Sequence, residues 1–108
     1  MPGQTLPSRP VGRVPALTLM GYGASQFGNL NRVTSDEASR DAVEAAWAAG
    51  VRYFDTAPHY GLGLSERRLG LALRDRPRDE YVLSTKVGRL LVPTPERSGE
   101  TDADFLVP

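Results

Sequence analysis

The segment that decides the fold reads Gly50-Val-Arg-Tyr-Phe-Asp-Thr-Ala-Pro-His-Tyr-Gly61. Its first part, Val51–Phe54, is rich in β-branched and aromatic residues, which predicts a buried strand. Pro58 cannot donate a hydrogen bond to a neighbouring strand, so the strand is expected to end before it. Asp55 then stands at the strand's C-terminal end, and Tyr60 lies on the loop that leaves it.

A helix is predicted immediately upstream of this strand. Thr34 and Glu37 have the spacing of a capping box, with Thr34 as the N-cap. Gly50 is placed to end the helix as its left-handed residue. The apolar face between them is made mostly of alanine. It comprises Ala38, Ala42, Ala45, Ala46 and Ala49, widened by Val43 and Trp47.

A second helix is predicted downstream of the strand. Ser65 can cap its first turn, and Glu66 suits the positive end of the helix dipole. The helix is expected to run out near Asp75–Pro77. Its buried face comprises Leu69, Ala72 and Leu73.

Two further apolar runs complete an alternating pattern. Leu17–Gly21 suits a buried strand that runs into a turn, and Tyr81–Thr85 suits a third strand. Strands that alternate with helices of this length imply parallel βαβ units. Right-handed crossovers then place the C-terminal ends of the strands on one face, where ligand sites lie in open α/β sheets and (β/α)8 barrels. Asp55, Tyr60 and Lys86 are therefore expected to share that face.

The composition is that of an ordinary globular domain and excludes several kinds of site. Of the 108 residues, 40% are hydrophobic and 24% are charged, which is typical of folded chains. Thirteen basic and thirteen acidic residues cancel, so the expected partner is a small molecule and not nucleic acid or an anionic membrane. The absence of cysteine excludes disulfides, thiolate metal sites and a cysteine nucleophile.

The two ends of the chain have no regular pattern. Residues 1–16 are expected to form an extended segment. Residues 89–108, which contain prolines and the charged patch Glu96–Glu100, are expected to form a long loop. The sequence has neither an apolar signal-peptide core nor a run of about 20 apolar residues, which predicts a cytoplasmic location.

Two rival motifs are not favoured. Gly21-Tyr-Gly23 and Gly28 resemble the glycine loop of dinucleotide-binding domains, but several loop residues separate them from the helix that such a loop must open. Asp55 and His59 carry side chains of the kinds that bind metal ions, a carboxylate and an imidazole. However, Pro58 prevents a helical spacing that would align them, and the chain has no second histidine and no cysteine to complete a site. No metal is therefore predicted.

Several blocks of the sequence together resemble the aldo-keto reductase family. The block Gly50–Gly61, followed by Ser65-Glu66 and Leu69-Gly70, resembles the first signature of that family. Ser84–Gly88 resembles its lysine strand, and Thr18–Gly23 resembles its first barrel strand. The order and spacing of the blocks also agree with the family, so the combination is far more specific than either main block alone.

A narrower likeness connects the chain to the bacterial sugar dehydrogenases of this family, the branch of the L-fucose, D-threo-aldose and pyridoxal 4-dehydrogenases. Gly21–Gly28 and Lys86–Pro93 carry it. The resemblance implies an α/β fold, the (β/α)8 barrel, of which residues 1–108 would be a partial domain with about three βα units. The isolated chain is accordingly expected to be a fragment with little or no dehydrogenase activity.

The resemblance implies a catalytic tetrad of Asp, Tyr, Lys and His, and Asp55, Tyr60 and Lys86 match the first three. Hydride transfer to a carbonyl builds negative charge on its oxygen, so an acid must deliver a proton there. That role falls to Tyr60. Lys86 would stabilise the phenolate left behind, and Asp55 would keep the ammonium charged. The family's histidine follows the fourth strand, so His59 is assigned to substrate binding instead.

Taken singly, each residue also has an ordinary structural explanation. Asp55 suits a turn before a proline, Tyr60 suits an amphipathic loop, and Lys86 suits a solvated strand end. A structural role for His59 is equally open. The joint placement of the first three residues on one face, inside blocks that match one family, favours an active site.

The resemblance further implies NAD or NADP at the C-terminal mouth of the barrel, with Gly21, Tyr22, Gly23 and Asp55 as binding residues. The likeness to sugar dehydrogenases favours NAD. The function implied is an oxidoreductase that interconverts a carbonyl and an alcohol, with an aldose or small aldehyde as substrate. The alternative is a non-catalytic nucleotide-binding barrel, such as the potassium-channel β-subunits that resemble the same family.

Overall fold

The computed structural model describes residues 5–29 and 32–88. The predicted loop at 89–108 and the first four residues of the predicted N-terminal segment lie outside them. The strands are β1 (Ser8–Val11), β2 (Val14–Thr18), β3 (Tyr22–Gly23), β4 (Tyr53–Asp55) and β5 (Val82–Ser84), and the helices are α1 (Asp36–Ala48) and α2 (Leu64–Leu73). Short 3-10 turns occupy Ser25–Gly28 and Arg78–Glu80.

Three of the strands form the predicted parallel sheet, in the order β3-β4-β5. Gly23 pairs with Asp55, and Asp55 pairs with Ser84. The strands are shorter than expected. In particular, the N–H of Val51 donates to the Ala46 carbonyl and closes the end of α1, so β4 starts at Tyr53. The alternation of strands and helices predicted a parallel βαβ arrangement, and the sheet confirms it.

The prediction that Leu17–Gly21 is a buried strand of this sheet is wrong. β2 ends at Thr18 and pairs antiparallel with β1, while Leu19 and Met20 are exposed. The parallel sheet instead takes Tyr22-Gly23, which the apolar pattern places in a turn and which ends the block Thr18–Gly23 that resembles the first barrel strand. An apolar run does not show whether a strand pairs in a hairpin or in a parallel sheet. All four residues of β1 are exposed, so no hydrophobic alternation predicts that this strand exists and pairs with β2.

Helix α1 begins one residue later than predicted and buries only part of the predicted face. The N-cap is Ser35, whose Oγ accepts a hydrogen bond from the Ala38 N–H at 3.0 Å, and not Thr34. The large side chains, more than the alanines, decide which face turns inward, because they remove the most apolar surface from water. The buried residues are Ser39, Val43, Ala46 and Trp47, at helical spacing. Ala38, Ala45 and Ala49 are exposed.

The end of α1 confirms the role predicted for Gly50. Its φ angle is +99°, in the left-handed region that side chains disfavour. The Gly50 N–H donates to the Trp47 carbonyl at 2.9 Å, and the Val51 N–H donates to the Ala46 carbonyl at 3.0 Å. These two bonds form a Schellman motif, which turns the chain directly from α1 into β4.

Helix α2 has the predicted buried face, Leu69, Ala72 and Leu73, and Glu66 lies in its first turn as expected. Its N-terminal cap differs from the prediction. Gly63, with a φ of +100°, occupies the N-cap position, so Ser65 lies inside the helix and does not cap it. The helix ends at Leu73, slightly before the predicted Asp75–Pro77.

The hydrophobic core lies between the two helices and one face of the parallel sheet. Phe54 in β4 is fully buried and stacks on Trp47 of α1, with 6.5 Å between ring centroids. Neighbouring side chains of a strand point to opposite faces, so Asp55 points to the other face. No helix in the described part of the chain is long and apolar enough to cross a membrane.

Candidate active site

The structure brings together the three residues predicted to be catalytic. Asp55 is the last residue of β4, and Lys86 lies two residues beyond β5. The Lys86 Nζ donates hydrogen bonds to Asp55 Oδ2 at 2.9 Å and to the Thr56 carbonyl at 3.0 Å. It also lies 5.1 Å from the centroid of the Tyr60 ring. A cation is thereby placed between a carboxylate and a phenol at one end of the sheet.

Both members of the ion pair are held in their charged forms. The hydrogen bond to Asp55, assisted by the Tyr60 side chain, raises the pKa of Lys86 above its ordinary value. For Asp55, partial burial acts to raise the pKa, but the hydrogen bonds from Ser84 and Lys86 outweigh it and hold the pKa below its ordinary value. Lys86 is therefore an ammonium, and Asp55 a carboxylate, throughout the neutral pH range.

A buried network of hydroxyl groups fixes the carbonyl that receives Lys86. The Ser65 hydroxyl donates to the Ala24 carbonyl at 2.7 Å. It therefore accepts the hydrogen bond from the Thr56 hydroxyl, also at 2.7 Å. The Thr56 N–H donates to the Ser84 carbonyl at 2.9 Å. Thr56 is thus held through its N–H and its side chain, which leaves its carbonyl fixed as an acceptor for Lys86.

A cleft of about 490 Å³ opens beside Tyr60 and Lys86. It is lined by Ala57, Pro58, His59, Tyr60, Lys86, Val87 and Gly88. The Nε2 atom of His59 is buried and has no hydrogen-bond partner among the residues that the structure describes. A buried polar atom without a partner is costly, and this nitrogen is not accessible from the cleft that His59 lines.

Comparison with known proteins assigns the family. The sequence profile of the aldo/keto reductase family matches residues 19–105. The chain belongs to this family. The D-threo-aldose 1-dehydrogenase of a Pseudomonas species is 62% identical over 96 residues, which are 86% of this chain and 29% of that protein. The pyridoxal 4-dehydrogenase of Microbacterium luteolum is 45% identical over 85 residues, 79% of this chain and 24% of that protein.

Solved structures of aldo/keto reductases show the same fold. The holo form of an aldo-keto reductase from Bacillus halodurans superposes on this chain with a TM-score of 0.66 and 30% sequence identity. The superposition covers 77% of this chain and 26% of the Bacillus halodurans chain. For an aldo-keto reductase from Pseudomonas aeruginosa, the TM-score is 0.65 at 36% identity, over 80% and 33% of the two chains. The chain thus spans less than a third of the length of the two curated relatives named above. Its parallel sheet and its helices are part of a (β/α)8 barrel, as predicted.

Ser84 belongs to this candidate site and was not predicted from the sequence. Its hydroxyl donates to Asp55 Oδ1 at 2.6 Å and lies 3.3 Å from the Tyr53 hydroxyl. A signal was available, because Ser84 precedes Lys86 by two residues and side chains two apart on a strand share a face. Only the register, which pairs Ser84 with Asp55, shows that the hydroxyl meets the carboxylate.

Of the residues predicted to bind the cofactor, Gly21 precedes β3, Tyr22 and Gly23 form β3, and Asp55 ends β4. The Tyr22 ring packs against Phe27 and Phe54, with centroids 5.6 Å and 6.3 Å away, and burial raises the pKa of Tyr22. Gly23 is exposed beside Asp55, and a Cβ added there would meet nothing within 4 Å. Gly23 therefore presents open backbone at this end of the sheet. A binding role for these residues stays a prediction.

Metal ligands were not predicted for this site. Across residues 5–29 and 32–88, the side chains of histidine, aspartate and glutamate form no group of three that could hold a metal ion. Asp55, which had been weighed as a ligand with His59, has both carboxylate oxygens engaged by Ser84 and Lys86.

Replacing Ser84 by alanine is expected to raise the pKa of Asp55 toward its ordinary value. The reason is that the lost O–H stabilises only the ionised carboxylate. Carboxyl ¹³C NMR titration of Asp55 measures the change. Thr85→Ala is the matched control, since the Thr85 hydroxyl donates to Glu66 and not to Asp55. An Asp55 titration that is the same in Ser84→Ala, Thr85→Ala and the unmodified chain would contradict the role given to Ser84.

Proposed function

We propose that this chain forms part of an NAD(P)-dependent oxidoreductase that interconverts a carbonyl and an alcohol by hydride transfer. One observation carries the proposal: Lys86 Nζ is fixed 2.9 Å from Asp55 Oδ2 and 5.1 Å from the centre of the Tyr60 ring, at the edge of an open cleft. Such a cation stabilises a phenolate and so prepares the adjacent tyrosine to exchange a proton with a substrate oxygen.

In the proposed mechanism, Tyr60 moves the proton. In the direction of reduction its hydroxyl donates to the carbonyl oxygen as negative charge develops there, and in the direction of oxidation the phenolate accepts the proton of the alcohol. Lys86 stabilises the phenolate state electrostatically. Asp55 orients the ammonium and keeps it charged, and Ser84 holds the second oxygen of that carboxylate. Proton transfer by a positioned side chain contributes typically about 10²–10⁴-fold to a rate.

A nicotinamide cofactor, when bound, would supply or accept the hydride. We assign Gly21, Tyr22, Gly23 and Asp55 to its site, and the exposed backbone of Gly23 beside Asp55 is compatible with close approach of a flat ring. NAD is proposed over NADP because of the likeness to sugar dehydrogenases. By the family resemblance, a tetrad histidine follows the fourth strand. Activity is therefore proposed to require a longer polypeptide than residues 1–108.

The proposed substrate is an aldose or another small aldehyde or alcohol. Two relatives are named for an aldose and for pyridoxal, which supports this class of compound. His59 is proposed to bind the substrate because it lines the cleft beside Tyr60 and Lys86. A cytoplasmic location and the lack of nucleic-acid or membrane partners stay predictions from the sequence.

The proposal is tested by offering NAD⁺ or NADP⁺ with aldoses and pyridoxal to the full-length protein that contains this chain. The nicotinamide absorbance reports turnover, and a fluorescence titration reports cofactor binding. We expect cofactor reduction with at least one aldose, faster with NAD⁺. Cofactor binding without turnover of any compound would favour the alternative, a nucleotide-binding barrel without catalysis. An absence of both cofactor binding and turnover would contradict the oxidoreductase function and the nucleotide-binding alternative alike.

A further inference from the structure

Two backbone segments cross in van der Waals contact next to Tyr60, one at Gly28 and the other at Gly61. Gly28 ends the 3-10 turn after β3, and Gly61 directly follows Tyr60. A Cβ atom on Gly28 would lie 2.4 Å from the Tyr60 carbonyl carbon and 2.5 Å from the Gly61 nitrogen. A Cβ atom on Gly61 would lie 2.6 Å from the Gly28 Cα. The two backbones therefore approach to a separation that no side chain permits.

We propose that Gly28 and Gly61 are positioning residues, and that their side-chain-free crossing sets the distance between the Tyr60 ring and Lys86. The contact involves the peptide bond between Tyr60 and Gly61. A change in the distance between the two backbones therefore moves the backbone of Tyr60 directly. It also explains the glycine at position 28. A dinucleotide loop does not explain that glycine, because the next α-helix, α1, begins only at Asp36.

The 3-10 turn cannot easily move away from the crossing. The Ala24 N–H donates to the Asp55 carbonyl at 2.9 Å, and the Ala24 carbonyl accepts from the Ser65 hydroxyl at 2.7 Å. The Phe27 carbonyl, one residue before Gly28, accepts from Arg68 Nη1 at 2.9 Å, and the Arg68 side chain is only 9% exposed. The turn is thus held at both of its ends.

The loop that carries Tyr60 is tied as well. The Ser65 N–H donates to the Tyr60 carbonyl at 3.1 Å, and the Gly63 N–H donates to the Pro58 carbonyl at 2.8 Å. A methyl group at Gly28 needs about 3.4 Å to the nearest atoms and finds 2.4 Å, so the two segments must separate by about 1 Å. Displacement of a catalytic group by about 1 Å costs on the order of 10²-fold in rate.

The first test rests on the proposed function and measures turnover by the full-length protein. Gly28→Ala is expected to lower kcat by roughly 10²-fold while the cofactor Kd changes little. Gly70→Ala is the matched control, because Gly70 lies exposed on α2 and an added Cβ meets nothing within 4 Å. An unchanged kcat in Gly28→Ala, or an equal loss in Gly70→Ala, would overturn the positioning role.

The second test does not depend on activity. In the full-length protein, ¹³Cε-lysine NMR follows the titration of Lys86, whose signal is identified by its absence in Lys86→Met. Because the Tyr60 side chain helps to raise the pKa of Lys86, Gly28→Ala is expected to lower that pKa toward its ordinary value, and Gly70→Ala is expected to leave it unchanged. Equal Lys86 titrations in both variants and the unmodified chain would overturn the proposal.

A third measurement covers the case in which Gly28→Ala does not fold. In the unmodified chain, the α-protons of Gly28 and Gly61 are expected to give a strong nuclear Overhauser effect, and its absence would contradict the crossing. The outcomes also separate the two proposals. A wild-type protein without turnover, but with the expected NMR results, would refute the oxidoreductase function and leave the glycine crossing supported.

Discussion

Replacing Lys86 by methionine is expected to lower the kcat of the full-length protein by roughly 10²–10⁴-fold, the range that positioned proton transfer contributes. Methionine keeps an unbranched side chain of similar length but removes the cation that faces the Tyr60 ring at 5.1 Å. Without it, the phenolate proposed to form at Tyr60 during proton transfer would have no adjacent positive charge. The Asp55 carboxylate would also stand near the developing phenolate without its partner.

The loss of turnover should not come from unfolding. The Lys86 side chain is 50% exposed and its partner Asp55 is 39% exposed, and ion pairs in such positions contribute little to folding. Thermal unfolding of Lys86→Met is therefore expected to stay close to that of the unmodified protein. Arg74→Met is the matched control, since it removes an exposed cation at the end of α2. Turnover of Lys86→Met within a few fold of the control would contradict the role of the ammonium.

The grouping of Asp55, Tyr60 and Lys86 could be predicted from the sequence because it depends on topology. Asp55 ends β4 and Lys86 follows β5, and parallel strands bring such ends to one face. The prediction did not need the exact strand boundaries, which were wrong by one or two residues in β4 and β5. The site follows from the order of strands and helices, and the hydrophobic pattern shows that order well.

Contacts that depend on strand register or on close approach could not be predicted in the same way. The Ser84 hydroxyl meets Asp55 only because β4 and β5 pair in one particular register. Gly28 and Gly61 are more than thirty residues apart in the sequence, and nothing in either local pattern shows that they cross. The sequence shows that a glycine is present, and only the fold shows which atoms a side chain would meet.

The errors at the N-terminus and in α1 have a common physical origin. A short apolar run at Leu17–Gly21 and a row of alanines in α1 each predict burial. In the structure, Leu19 and Met20 are exposed, and Val43 and Trp47 decide the buried face of α1. Alanine removes little apolar surface from water, so its position around a helix is a weak guide when larger side chains favour another face.

Replacing Tyr60 by phenylalanine is expected to have the second of the two large effects, a fall in kcat of roughly 10²–10⁴-fold. The substitution removes one oxygen atom and leaves the ring beside Lys86. The glycine crossing behind it is made by backbone atoms, and Lys86 keeps its hydrogen bonds to Asp55 Oδ2 and to the Thr56 carbonyl. The site should therefore keep its shape and its affinity for the cofactor while it loses the group proposed to exchange the proton.

The central claim is that Tyr60 is the proton donor and acceptor of a nicotinamide-dependent oxidoreductase. The most direct test measures cofactor affinity and turnover side by side in the full-length protein, in its Tyr60→Phe variant and in Tyr81→Phe, which removes the hydroxyl of a buried core tyrosine. The account predicts similar cofactor Kd values in all three proteins and a large loss of kcat in Tyr60→Phe alone. Unchanged turnover in Tyr60→Phe would contradict it.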